Sequence, residues 1–242
     1  MKKYFIKYTI EFFVIFLGIS VSFWINEWNT NRINNFKQLY YLEGLKSDLE
    51  KQMSAFINIT QHSKSTIENA ESILEDFSST GNLWSIDSIN LKLSRLMYTR
   101  TYPDITTTFN ELKSTGEFDL IKEKSLSSST IKYYQNSNNY QQRHRSNIEV
   151  VYYAEIFPII KSSIIIQPSN FGYKNEKIML NDNLKAQFKN QLNDQKKVFD
   201  IVNAISLRIV VSITNQNYIE IMKDEAELLL SDINNEIILL KD

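Results

Sequence analysis

The chain has 242 residues, with 27 Lys and Arg against 28 Asp and Glu, for a formal net charge of -1. That balance argues against nucleic acid as a partner, which calls for a basic excess, and the absence of cysteine excludes disulfides, thiol nucleophiles and cysteine-held metal. With only 5 Gly and 3 Pro, helix breakers are scarce, and long helices are expected rather than a many-stranded sheet.

The first element is an apolar run from Phe12 to Ile25, FFVIFLGISVSFWI, whose only polar side chains are Ser20 and Ser22. Extended to Tyr8 and Trp28 it covers roughly 21 residues, or about 31 Å of helix at about 1.5 Å per residue. A bilayer's hydrocarbon core is about 30 Å thick. Tyr4 and Tyr8 at one end and Trp24 and Trp28 at the other suit the two interfaces. Lys2, Lys3 and Lys7 precede the run, and Glu27, then Arg32 and Lys37, follow it. The positive-inside rule therefore puts the N-terminus in the cytoplasm. The expected organisation is a cytoplasmic tip and transmembrane anchor over 1–29 and an extramembrane helical bundle over 30–242. A cleaved signal peptide shares the Lys-rich start, and Gly18, Ser20 and Ser22 imitate its small-residue site. The run continues through Phe23, Trp24 and Ile25 with no A-x-A after it, which favours the anchor. The terminal position and aromatic ends favour it over a soluble core helix.

Glu11 stands inside the first turns of this segment and has two readings. Lying shallow, it reaches headgroups or pairs with Lys7 one turn earlier. Alternatively it is an intramembrane site shared with a partner helix. Gly18 and Ser22, one turn apart, form a small-xxx-small face where another helix could approach closely.

Beyond the anchor, Leu42, Leu45, Leu49, Phe56, Ile59, Ala70, Ile73 and Phe77 keep helical spacing, broken by Gln52, Ser63 and Thr66. No proline interrupts Arg32 to Phe77, so the membrane helix is expected to run into a long helix ending at Ser78-Ser79-Thr80-Gly81-Asn82. Ser85 or Asp87 can cap a second helix bearing Ile89, Leu93, Leu96 and Met97, broken by Tyr102-Pro103-Asp104. Thr106, Thr107 and Thr108 offer N-caps to a short helix with Phe109 and Leu112 that closes at Gly116. Phe118, Leu120 and Ile121 form an apolar turn. A helix from Ser125 carries Leu126, Ile131, Tyr134, Ile148, Val151, Tyr152 and Ile156, with a polar, solvent-facing middle from Gln135 to Ser146, and Pro158 kinks or ends it. Ile164 to Tyr173 is expected to be irregular, with a possible short strand at Ile164-Ile165-Ile166. Asp182 can cap the last region. There Leu184, Phe188, Leu192, Gln195, Phe199, Val202, Ile205 or Ser206, Ile209 and Ile213, then Tyr218, Met222, Ala226, Leu229, Ile233 and Ile237, step by three and four. This is a helix pair, or one long helix interrupted near Thr214-Asn215-Gln216-Asn217.

Chemistry is sparse. His62 and His144 are the only histidines, and neither has a His, Asp or Glu one turn away. Arg143-His144-Arg145 reads as a solvated basic turn. There is no G-x-G-x-x-G, Walker A or G-x-S-x-G motif. Arg95, Arg100 and Asp104 flank Pro103 as a small polar cluster, for which structural pairing is the default. No cofactor and no metal are expected.

Two stretches together carry a pattern. One is Ile10-Glu11 through Asn26-Glu27-Trp28-Asn29, followed by Tyr41-Leu42-Glu43-Gly44-Leu45-Lys46-Ser47-Asp48-Leu49. The other is Thr107-Thr108-Phe109-Asn110-Glu111-Leu112-Lys113-Ser114-Thr115-Gly116, then Leu120-Ile121 and Tyr133-Tyr134. The pattern resembles the small single-pass membrane proteins of Bacteroidota grouped as domain-of-unknown-function family 6090. A Gly usually precedes the Glu of that family's membrane motif, where Ile10 stands here. The resemblance implies topology and lineage, hence an inner-membrane anchor and a periplasmic bundle, but no activity. It draws attention to Glu11 and to the exit motif Asn26, Glu27 and Trp28.

The expected fold is all-α, a transmembrane helix continuing into an antiparallel bundle. The expected function is non-enzymatic: protein–protein interaction or ligand sensing, with the lipid bilayer and a second copy or another membrane protein as partners. The alternative is a subunit of an ion-conducting or ion-motive assembly that uses Glu11.

Overall fold

A computed structural model describes residues 2–167, 172 and 181–241, with side chains from residue 7 onward. The side chains of Lys2, Lys3 and Tyr4, together with Pro168 and Tyr173, lie outside the described residues. Among the described residues all regular structure is helical, as the scarcity of breakers requires.

The helix α1 (Lys2–Thr80) is unbroken over 79 residues. Every residue from Glu11 to Arg32 on it is exposed, and its first buried side chain is Gln38. From there a buried stripe alternates steps of four and three, through Gln38, Leu42, Leu45, Leu49, Gln52, Phe56, Ile59, Ser63, Thr66, Ala70 and Ile73, with Tyr41 and Asp48 buried beside it. This is the spacing of a helix packed along one seam. Gln52, Ser63 and Thr66 therefore continue the buried stripe rather than break it. Each fully buried Leu or Ile contributes roughly 1.5–3 kcal/mol, well above the ~0.5 kcal/mol of a surface ion pair, so the seam holds this part of α1.

The short helices follow from local chemistry. After a 3-10 turn at Leu83–Ser85, α2 (Ile89–Arg95) starts from Ser88, whose φ of 54° is left-handed; neither Ser85 nor Asp87 caps it. The N-cap of α3 (Thr107–Thr115) is Thr106, but its side chain makes no cap bond, and Gly116 closes the helix at φ 69°. The Asp48 carboxylate of α1 instead accepts the Thr108 N–H at 2.8 Å, an anion at the positive end of the α3 dipole. A 3-10 turn at Glu117–Leu120 leads to α4 (Lys124–Ser146). That helix widens into a π-helix over Asn147–Ile156 and returns to α-geometry as α5 (Phe157–Ser162). Ile148, Tyr152, Ile156 and Ile160 lie buried four apart. Pro158 lies in the first turn of α5, directly after the π-helix, and the helical run passes through it, so it neither ends nor interrupts that run.

Ile164 to Gln167 is irregular, and the anticipated strand is absent. The Asn90 side chain takes the place of a strand neighbour, donating to Ile165 O at 2.9 Å and accepting from Ile165 N at 2.8 Å. Then α6 (Asp182–Asn193) is capped by Asn181, whose Oδ1 accepts the Leu184 N–H, rather than by Asp182. Extended backbone at Asp194 precedes α7 (Gln195–Lys241), unbroken over 47 residues. The α7 stripe is Ile201, Ile205, Arg208, Ser212, Asn215, Ile219, Met222, Ala226, Leu229 and Ile233. The expected phase through Phe199 and Ile213 fails because Asp194 resets the helix: Phe199 is 66% exposed.

The chain divides into two compact units. One comprises α1 up to Asp48, Thr106–Thr130 and α7 from Leu229. In it α3 lies so close to α1 that a Cβ on Gly44 would stand 2.8 Å from Thr108 Cγ2 and Oγ1. Gln38 Nε2 donates to Glu236 Oε1 at 2.9 Å, and Glu117 accepts from Lys37 Nζ and from Tyr41 OH. The other comprises Leu49–Ile105 and Ile131–Leu228. Its core joins Ala70, Ile73, Leu93, Leu96, Tyr152, Ile156, Ile201 and Ile205. Asn147 Nδ2 donates to Asn215 Oδ1 at 2.8 Å, and Asn136 Nδ2 to Glu225 Oε2 at 3.0 Å, so α7 runs antiparallel to α4. The helix α7 runs unbroken through Asn215, whose buried side chain is satisfied by the Asn147 bond.

Candidate functional site

The residues singled out in the apolar segment all lie on the exposed stretch of α1. Glu11 is 3.8 Å from Lys7 Nζ, the local pairing of the two readings. A Cβ on Gly18 would meet nothing within 4 Å, and Ser22 Oγ donates to Gly18 O at 2.8 Å. The hydroxyl is thus satisfied within its own helix, and the small-residue face stays open. Asn26, Glu27 and Trp28 are exposed, and the Arg32 guanidinium stands 5.4 Å from the Trp28 ring centroid, a cation–π contact.

The densest polar chemistry lies in the unit containing Leu49–Ile105. Carbonyl groups just past α2, at the negative end of a helix, draw donors from three elements. Tyr152 OH donates to Leu96 O at 3.3 Å, Arg208 Nη2 donates to Tyr98 O at 2.5 Å, and His62 Nε2 lies 3.4 Å from the same oxygen. Arg208 is 3% exposed, its guanidinium lies 4.6 Å from the Tyr152 ring centroid, and its Nε has no hydrogen-bond partner. Burial lowers the Arg208 pKa, and burial also raises the Tyr152 phenol to about 12. Burial lowers His62 too, opposed by its bond to Tyr98, and the charges acting on it are those of Arg208 and Arg100.

An open cleft of about 690 Å³ adjoins this cluster. Asn58, Gln61 and His62 of α1 line it together with Arg100, Thr101 and Pro103 from the segment before α3. The sequence grouped Arg100 with Arg95 and Asp104; the structure sets it beside His62. A second cavity, about 320 Å³, is lined by Thr101, Tyr102, Gln141, His144, Arg145, Ile148, Glu149 and Tyr153. His144 is here the reverse of a solvated basic residue. It is 2% exposed, it faces the Tyr102 ring edge-on at 6.1 Å, and burial lowers its pKa to about 4. Only its neighbours Arg143 and Arg145 reach solvent. The polar middle of α4 is likewise partly internal: Ser137 Oγ accepts from Gln52 Nε2 at 3.2 Å and lies 3.0 Å from Tyr102 OH, while Tyr133 OH donates to Gln52 Oε1 at 2.7 Å.

Arg208 is the residue that sequence reasoning missed. Counting the α7 stripe backward from Met222 by threes and fours reaches Ile219, Asn215, Ser212 and Arg208, so a signal existed. Among the described residues no group of three His, Asp or Glu side chains is placed to hold a metal ion. No family model matches the chain, and no curated protein or solved structure matches it.

Proposed function

We propose that this protein is a single-pass, membrane-anchored helical bundle that acts by sensing a ligand or binding another protein rather than by catalysis, with the bundle in the periplasm of a bacterium and the N-terminus in the cytoplasm. The observation that carries this reading is the continuity of α1. The same unbroken helix exposes Phe12, Phe16, Phe23 and Trp24 and, from Gln38, becomes a seam of the bundle. At about 25 cal/mol per Å² of apolar surface, leaving those aromatics in water is unfavourable, and a bilayer or another helix removes that penalty. The apolar window of α7 is long enough to cross a membrane as well, but 39% of it is buried inside the protein while none of the α1 window is. The resemblance to family 6090 supports the same topology. Its two motif stretches meet in the structure at Gly44, Asp48 and Thr108, which gives them a packing role.

The open face at Gly18 and Ser22 suits self-association. The chain has no cysteine, so single-cysteine variants report cleanly. The full chain should remain in membranes after alkaline washing, and protease added outside spheroplasts should digest the bundle. Gly18→Cys or Ser22→Cys should give disulfide-linked dimers on mild oxidation. Release by the alkaline wash would sink the anchor, protection of the bundle would reverse the orientation, and monomers alone would remove self-association.

A further inference from the structure

We propose that the cleft beside His62 and Arg100 is a binding site for a small anionic solute bearing a carboxylate or phosphate group. The cleft is lined by hydrogen-bonding side chains, Asn58, Gln61, His62, Arg100 and Thr101, and by no carboxylate. Arg100 is exposed and makes no hydrogen bond or ion pair among the described residues. Its planar fork of donors matches the oxygen pairs of carboxylates and phosphates. Arg208 adds a second, buried positive charge beside the cluster, and its only hydrogen bond there goes to a neutral carbonyl, Tyr98 O. Capping the carbonyls past α2 accounts for Arg208 and for one nitrogen of His62. It does not account for Arg100, nor for a cleft that collects donors and excludes acidic side chains. An anion in the cleft supplies the missing negative charge.

The inference rests on the sensing reading for its purpose, and its test is separable from that reading. The two histidines give two ring signals, with buried His144 as the internal control. The full chain in uncharged detergent, with histidine isotopically labelled, is titrated with inorganic phosphate and, separately, with succinate, against chloride at matched ionic strength. The expected result is a saturable shift of the His62 signal toward its protonated position, with His144 unmoved, because an anion beside His62 favours its charged form. The stronger arm identifies phosphate or carboxylate as the preferred group. Arg100→Gln, at an exposed position that leaves the fold intact, should weaken binding by about tenfold or more. A His62 response no larger than with chloride overturns the site, as does an equal response in Arg100→Gln. If the anion binds but leaves the disulfide yield of Gly18→Cys unchanged, the site stands and the sensing reading falls.

Discussion

The Arg208 guanidinium lies against the face of the Tyr152 ring, 4.6 Å from its centroid, while one of its amino groups donates to Tyr98 O. A buried cation held by a ring and a carbonyl, with no carboxylate, is only partly compensated. The charged hydrogen bond contributes about 1.5–3 kcal/mol and the ring contact up to about 2 kcal/mol, against a desolvation penalty of several kcal/mol. These terms nearly cancel. Arg208→Met, which keeps the volume, should change the unfolding free energy by less than about 1.5 kcal/mol, whereas Arg208→Ala should lose about 2–5 kcal/mol through the cavity it opens. Urea unfolding of the detergent-solubilised chain measures both. A loss with Met as large as with Ala would show that the charge itself holds this unit together.

His144 makes stability depend on pH. Burial lowers its pKa to about 4 in the folded chain, against about 6.5 when unfolded. The unfolded chain therefore takes up this proton first as pH falls. Stability is fully retained above about pH 6.5 and declines toward pH 4 by on the order of 3 kcal/mol. The lowered pKa of His62 acts in the same direction. His144→Phe should flatten most of the fall in Tm between these pH values. An unchanged slope would assign the acid sensitivity to other groups.

Gly44 occupies a helix interior, where alanine is ordinarily better by about 1 kcal/mol. Here the added methyl would stand 2.8 Å from two Thr108 side-chain atoms. Gly44→Ala should therefore destabilise by about 1–3 kcal/mol. Thr108→Ala removes both clashing atoms, so the double variant should return close to Thr108→Ala alone. Thermal melts followed by circular dichroism decide it, and a stabilised Gly44→Ala would show that α3 does not sit this close to α1.

Tyr133 and Gln52 share a buried hydrogen bond of 2.7 Å. Tyr133→Phe leaves Gln52 Oε1 without its donor and should cost about 1–3 kcal/mol. Adding Gln52→Leu removes the orphaned acceptor, so the pair should cost less than the sum of the single changes by about 0.5–3 kcal/mol. Strict additivity in a double-mutant cycle would show that the two side chains act independently.

The boundaries most legible in the sequence were those made by local chemistry. Gly116 closes α3 because a left-handed residue is needed there, and Gly81 is left-handed just past α1 for the same reason. Caps supplied from a distance were illegible: α3 looked to its own threonines, while Asp48 of α1 provides the carboxylate. Polar residues at seam positions were misjudged for the same reason. Gln52, His144 and Asn215 are hydrophilic by type, and only their neighbours Tyr133, Tyr102 and Asn147 show that they are internal.

The sequence by itself determined the all-helical class and the long apolar helix near the N-terminus, because breaker content and the length of an apolar run act along the chain, one residue at a time. Only the tertiary structure decided that Arg208 is buried against Tyr152 and that Arg100 stands beside His62. Both depend on side chains from distant segments meeting, and the Asp194 break that sets the phase of α7 changes which face of a helix is internal without changing its composition.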